Sequence, residues 1–295
     1  MQFVNAPAIA AFAFELGVAI SFAFATQQIT RAVQRLPVAA RILLPAVFVA
    51  PYLLVSIPAH SFWWNWCVLY AFLPVAIAWL LTHAAAADPQ QRGNWRDAFI
   101  LLIIGLAVDL RWFESAWPTG LRALNELFLV DAGLYGFLAI RQLNGVGFDF
   151  RLRWSDWRTG LRELLFFAPI VIGLGIALGF IHPHGNRVGV GSAILRWLLI
   201  FLFTAVPEEL FFRGWVQNLL ERRLGRHAAL VIAAIIFGLS HFNKRNFGSA
   251  HFNWRYVLLA TIAGVFYGRA WRENRRIPAS TITHASVDWL WGLWF

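Results

Sequence analysis

Charge is what this sequence has least of. Only 14% of its 295 residues are Asp, Glu, Lys or Arg, where a soluble domain carries about a quarter. That deficit, with 59% hydrophobic residues and a mean hydropathy of +0.60, excludes a water-soluble globular class. Cysteine is nearly absent as well. Cys67 stands alone, so neither an intrachain disulfide nor a cysteine metal site can form. Residues 1–30 hold no Lys or Arg ahead of the first apolar run. The basic n-region of a cleavable signal is therefore missing, and no such signal is expected. There is no internal repeat and no low-complexity linker.

What the chain has instead is apolar runs, near residues 6–26, 42–59, 66–82, 98–112, 121–141, 163–181, 192–206, 228–241, 255–270 and 278–294. A backbone crossing lipid must satisfy its own hydrogen bonds, which selects helices. Several runs are shorter than the ~20 residues of an ideal span, so the expected fold is an all-α, polytopic transmembrane bundle of about eight to ten spans. Pro45, Pro51, Pro58 and Pro74 predict kinks in the second and third of them. Sixteen tryptophans suit anchoring at the two membrane interfaces.

A net charge of +10 raises the question of nucleic acid. The arginines answer it by falling in short loops between apolar runs, where they set topology, so the partner is the bilayer and no nucleic acid is expected. Arg31, Arg35, Arg41, Arg92, Arg96, Arg151, Arg153, Arg158, Arg162, Arg222, Arg223, Arg226, Arg269, Arg272, Arg275 and Arg276 share one side. Arg122, Arg187, Lys244 and Arg245 lie on the other. The positive-inside rule makes the first side cytoplasmic, with the amino terminus outside, in a multi-pass protein of the cell inner or plasma membrane.

Three regions follow from composition. Residues 1–145 are transmembrane helices of unassigned role, with isolated charges at Glu15, Asp109, Arg111 and Asp131 that read as snorkelling helix-end residues or interhelical hydrogen bonds. Residues 146–162 mix arginine with aromatics and read as an interfacial amphipathic linker. Residues 163–295 form the remaining core, where Gly173, Gly175 and Gly179 offer a small-residue face for close helix packing.

The chemistry-bearing residues lie in that core. Glu208, Glu209 and Arg213 follow directly on the apolar run 192–206, and an ionisable group at membrane depth costs about 3 kcal/mol on insertion scales. Glu209 and Arg213 are four apart and can pair on a helix, which leaves Glu208 pointing about 100° away and available for chemistry. Phe237-Gly-Leu-Ser-His241 closes one run, and His284-Ala-Ser-Val-Asp288 opens another with its two polar ends on one helix face. Counting about 1.5 Å per residue from the turn at Gly225 and Arg226 puts Glu208 and His241 at one level, about 24 Å along antiparallel helices. His284 is only eight residues past Arg276 and needs helix tilt to join them. Singly, these motifs also describe a solvated helix end, an interfacial histidine and a helix cap. Together, a carboxylate beside an imidazole can hold a water and remove its proton, while a second histidine and an acid arrange donors for an oxyanion.

Glu208-Glu209-x-x-x-Arg213, Phe237-x-x-x-His241 and His284-x-x-x-Asp288 resemble the three signature motifs of the CPBP family of intramembrane proteases. That family comprises the type II CAAX prenyl endopeptidases and their bacterial relatives, including bacteriocin-processing and immunity proteins. The resemblance covers residues 160–292. It implies a membrane-embedded endopeptidase acting on a membrane-associated protein or peptide. Glu208 and His241 would activate the attacking water, His284 and Asp288 would line the oxyanion side, and Glu209 with Arg213 would hold the helix, supported by Phe237. Asp288 stands where many relatives have Asn, so it would act protonated or by orienting His284. The family has been described both as metalloprotease and as glutamic protease. Zinc would take Glu208, His241 and His284, but the compact His-Glu-x-x-His helix is missing, so catalysis without a cofactor is expected. The alternatives are a catalytically silent immunity or scaffold protein of the same fold, and a proton-coupled transporter using its intramembrane carboxylates as a relay.

Overall fold

The structure, a computed structural model, describes residues 5–185, 188–242 and 253–294. Arg187, Lys244 and Arg245, counted above among the residues opposite the arginine-rich loops, lie outside the described residues. All regular structure among the described residues is helical, and six helices are long and apolar enough to cross a membrane. The chain is an integral membrane helical bundle. It divides into two compact units, Met1–Asn144 and Gly145–Phe295.

The first unit begins with α1 (Ala6–Gln34), whose amino end is set by Asn5: its side chain accepts from the Ala8 amide at 3.0 Å, and Pro7 sits in the first turn. The second span is composite, with α2 (Val38–Leu43), a 3-10 stretch (Leu44–Val49) and α3 (Ala50–Ser56). Pro45 and Pro51 each occupy the first turn of a new stretch, where a missing N–H is harmless. Pro74 lies inside α4 (Trp64–Ala87) and does not end it. Next come α5 (Trp95–Asp109) and α6 (Ala123–Leu134), which runs on as a π-helical segment, Tyr135–Ile140. At 15 residues, α5 is shorter than the ~20 of an ideal span.

The second unit comprises α7 (Trp154–Ala177), α8 (Val190–Ile200), α9 (Val206–Glu209), α10 (Asn218–Leu239), α11 (Trp254–Asn274) and α12 (Ile277–Trp294). Residues 146–162, expected as an interfacial amphipathic linker, lead into α7, whose first turns begin at Trp154. The helix carrying the glutamates runs past the apolar run that ends at 206, to the turn expected at Gly225. Helix continues from Val190 through two π-helical stretches, Phe201–Ala205 and Leu210–Gln217, and breaks at Gly225, where φ is +77°. Glycine alone adopts that conformation without strain.

Of the three glycines expected to pack closely, only Gly175 does, where a Cβ would lie 2.9 Å from the Ile181 side chain, and the helix contacts rest on others. A side chain at Gly173 or Gly179 would meet nothing within 4 Å, so neither marks a close helix contact. At Gly264 a Cβ would lie 2.9 Å from the Ala234 Cα, and at Gly160 it would lie 2.8 Å from the Ala279 carbonyl oxygen. The bare backbone at these two positions brings α11 onto α10 and α7 onto α12.

Each unit ties down one helix start with the same device. In the first, Asp97 accepts from the Asn94 amide at 2.9 Å while its carboxylate takes Arg141 Nε at 2.9 Å; Asp88 holds the same guanidinium at 2.6 Å. In the second, Asp156 accepts from the Arg153 amide at 2.9 Å and from Arg276 Nε at 2.7 Å, with Asp149 at 3.1 Å from the same arginine. Burial opposes ionisation of Asp88, but the Arg92 and Gly93 amides and Arg141 outweigh it and hold the carboxyl below its usual range. Burial is outweighed at Asp149 as well, by the Arg151 amide and Arg276, with the same result.

Candidate active site

The site is built around Glu209, which is wholly buried. A carboxylate out of water must be paired, and here both oxygens are. Arg213 Nε donates to Oε2 at 3.0 Å, and His284 Nδ1 meets Oε1 at 2.9 Å. The four-residue spacing to Arg213 places that partner on the same helix. Pro207 explains part of the local irregularity. It has no N–H to return to the preceding turn, and the π-helical residues Phe201–Ala205 lead directly into it. Such π-helical turns recur at functional sites because they shift side-chain register within an otherwise regular helix.

Arg213, also wholly buried, rests among aromatic rings. Its guanidinium carbon lies 4.9 Å from the Phe237 ring centre, 5.8 Å from Tyr267 and 5.9 Å from Phe212. Its two terminal nitrogens have no hydrogen-bond partner among the described residues, so ring faces serve where water would otherwise solvate the cation. Phe237 is the hub of this arrangement. Its ring also packs on His241 at 4.9 Å and edge-on against His284 at 5.7 Å.

His284 is the residue on which the acids converge. With Nδ1 on Glu209, its Nε2 points to Asp288 Oδ2 at 3.5 Å and to Glu208 Oε2 at 3.8 Å. Tyr267 stacks on its ring at 4.5 Å with 16° between planes. Helix α12 is fixed against α8 by Trp197 Nε1 donating to Ser286 Oγ at 3.1 Å and Trp289 Nε1 donating to the Ala193 carbonyl at 2.8 Å. Glu208 differs from its neighbour in one respect that matters: its side chain is 25% exposed, against 0% for Glu209.

His241 approaches from the end of α10. Its Nδ1 lies 2.9 Å from the Phe237 carbonyl oxygen, a contact that makes Nδ1 the protonated nitrogen and leaves Nε2 with its lone pair. The rings of Phe237 and Tyr256 hold the imidazole at 4.9 and 4.8 Å. His241, His284 and Asp288 share the wall of a cavity of roughly 110 Å³ whose other walls include Phe167, Val171, Leu259 and Trp291. These three polar groups thus open onto an apolar chamber.

All the residues expected in the site gather in this unit. Glu208, Glu209, Arg213, His284 and Asp288 form one ionic cluster, and His241 joins it across Phe237 and along the cavity wall. Tyr267, which stacks on His284 and faces Arg213, was missed. The signal available was a tyrosine set between Gly264 and Gly268 on a span. As for zinc, among the described residues no group of three or more His, Cys, Asp or Glu converges so as to hold a metal ion. Glu208, His241 and His284, the donors named for it, form no such group.

No curated protein and no solved structure matches the chain. One family does. Residues 190–290 match the family model described as type II CAAX prenyl endopeptidase, Rce1-like, which is consistent with the CPBP family and supports a CAAX-protease-type fold.

Proposed function

We propose that the protein is an intramembrane endopeptidase that hydrolyses a peptide bond by glutamate-activated water, without a metal. The observation that carries this reading is the division of labour between the two adjacent glutamates. Glu209 is locked between Arg213 and His284, while Glu208 is partly exposed and faces the same imidazole at 3.8 Å. A fixed, fully paired carboxylate orients a catalytic ring. A partly exposed one can exchange a proton with water.

The steps follow from those positions. Water held by Glu208 and His241 Nε2 gives a proton to Glu208 as its oxygen bonds to the scissile carbonyl carbon. The oxyanion that forms is stabilised by His284. Carboxylates at both of its nitrogens favour the imidazolium, the form in which both ring N–H groups donate. As the C–N bond breaks, Glu208 passes the proton to the leaving amine. Asp288 acts on His284 rather than on substrate, consistent with its 3.5 Å approach to Nε2.

The substrate is a membrane-associated protein or peptide with an apolar group beside the scissile bond. The apolar walls of the cavity next to His241 and His284 support this. The arginine-rich loops face the cytoplasm and the amino terminus lies outside. The test is cleavage of co-expressed candidate membrane substrates by the wild-type protein and by Glu208→Ala. Purified protein should keep its activity in chelator and hold substoichiometric zinc. Stoichiometric zinc, lost with activity in chelator and restored together with it, would overturn the metal-free mechanism.

A further inference from the structure

The first unit contains a second buried acidic centre that proteolysis does not use. Glu15 on α1 and Asp131 on α6 are 0% and 1% exposed, so of the two expected readings the interhelical contact holds and the snorkelling helix end does not. Each carboxyl group lies within interaction distance of the other. Among the described residues, none of their four oxygens has a hydrogen-bond partner other than the opposing carboxyl group, and no cation lies beside them. Helix α1 packs on α3, α6 and the segment after α6, and α6 also packs on α4 and α5. The other titratable or charged groups on these elements are Arg31, Tyr52, Cys67, Tyr70, His83, Arg96, Asp97, Asp109, Glu126 and Tyr135. Arg31 is sixteen residues, about 24 Å, further along α1. Arg96 is near the start of α5, and His83 binds the Trp79 carbonyl at the exposed end of α4.

Two adjacent carboxylates in such a place cannot both be ionised, because like charges at close range and lost hydration both oppose it. A hard metal cation would collect six or more oxygens. This pair offers four, and no third acidic or histidine ligand converges on it among the described residues. A proton needs only two oxygens, and it makes one carboxyl a donor to the other.

At one end of the unit, Asn5, Val55, Ser61, Trp63, Trp117 and Leu121 are among the residues lining a vestibule of roughly 540 Å³. Asn5 is ten residues before Glu15 and Leu121 is ten before Asp131, so both carboxyls lie about 15 Å below that rim. Between the two levels sits Tyr70, fully buried. Its hydroxyl accepts from Trp117 Nε1 at 2.6 Å, donates to Asn125 Oδ1 at 2.9 Å, and is within electrostatic reach of Glu15.

We propose that Glu15 and Asp131 form a proton-binding site inside the first unit, where one proton stays shared between the two carboxyl groups and a second is exchanged with the vestibule through Tyr70. Loading converts a carboxyl–carboxylate pair to two neutral acids, with the proton taken from water in the vestibule. Unloading reverses this. The site gives the unit a protonation state of its own inside the bilayer, independent of hydrolysis in the second unit.

Infrared spectra of the full-length protein in lipid, taken over a pH series, read the pair directly. The expected result at neutral pH is a protonated-carboxyl C=O band that shifts in heavy water. It should be lost in Glu15→Gln/Asp131→Asn and be indifferent to sodium or potassium. In Tyr70→Phe the band should remain but exchange its deuteron more slowly. If the double variant does not insert, wild-type protein grown with aspartate carbon-13-labelled at the side-chain carboxyl, compared with labelled Asp131→Asn, locates the band without it. A spectrum with no acid band assignable to Glu15 or Asp131 at neutral pH overturns the proposal. A band abolished by sodium makes the site one for a metal cation and overturns it equally.

Discussion

Two acidic centres, one in each unit, solve the problem of a buried carboxyl in opposite ways. Glu209 keeps its charge because Arg213 and His284 hold both oxygens at 3.0 and 2.9 Å. Glu15 has no cation and a second acid for a neighbour. The first arrangement fixes a charge and so orients a ring. The second can only be neutral in part, and so responds to protons. Burial alone therefore does not tell what an intramembrane acid does. The compensating group does.

The comparison breaks most visibly at Arg213. Arg213→Ala should cost about 3–5 kcal/mol in unfolding experiments and abolish activity, since it leaves a buried carboxylate unpaired. Adding Glu209→Gln should recover part of that stability, and a double-mutant cycle reads the coupling. Simple additivity would mean that the two charges are not coupled. The matching substitution in the first unit should behave differently. Glu15→Gln removes no ion pair and should stay within about 1 kcal/mol of wild type, whereas Glu209→Gln alone strands Arg213 and should cost several times more. Equal costs for the two would erase the distinction.

A smaller effect is expected at Tyr267. Tyr267→Leu keeps an apolar group against His284 but removes the stacked ring, worth about 0.5–1.5 kcal/mol. Turnover should fall while the fold persists, and Tyr267→Phe should restore it. The smallest effect concerns acid. Asp88 and Asp149 both titrate below their usual range in the folded protein. Their contribution to stability is therefore present at neutral pH and is lost as pH falls through those depressed values. Melting curves taken into the acid range should show less acid sensitivity in Arg276→Gln and in Arg141→Gln than in wild type, one variant for each unit.

The sequence made the fold class legible because lipid permits little besides helices, and it made local pairs legible because helical spacing is fixed. Glu209 with Arg213 and His284 with Asp288 are both four apart and both meet. What it concealed was tertiary. Counting residues from Gly225 favoured Glu208 with His241 and left His284 short, but the structure carries His284 onto Glu209. That count assumed one regular helix, and residues 201–205 and 210–217 are π-helical, which changes which side chains share a face. Glu15 and Asp131 are 116 residues apart, and no spacing rule links residues on different helices. Their burial was hidden because an isolated acid in an apolar run reads the same whether it snorkels or faces a partner.

Proteolysis by a Glu208→Gln variant tests the central claim most directly. Purified wild-type protein and the variant, matched for folding and insertion, are compared on the same membrane substrate. A general base contributes typically about 10²–10⁴-fold, so the variant should lose cleavage by at least about two orders of magnitude while melting like wild type. Cleavage retained by a well-folded Glu208→Gln protein would contradict the account, because no other carboxylate in the cluster is both exposed and beside His284 without already serving to orient it.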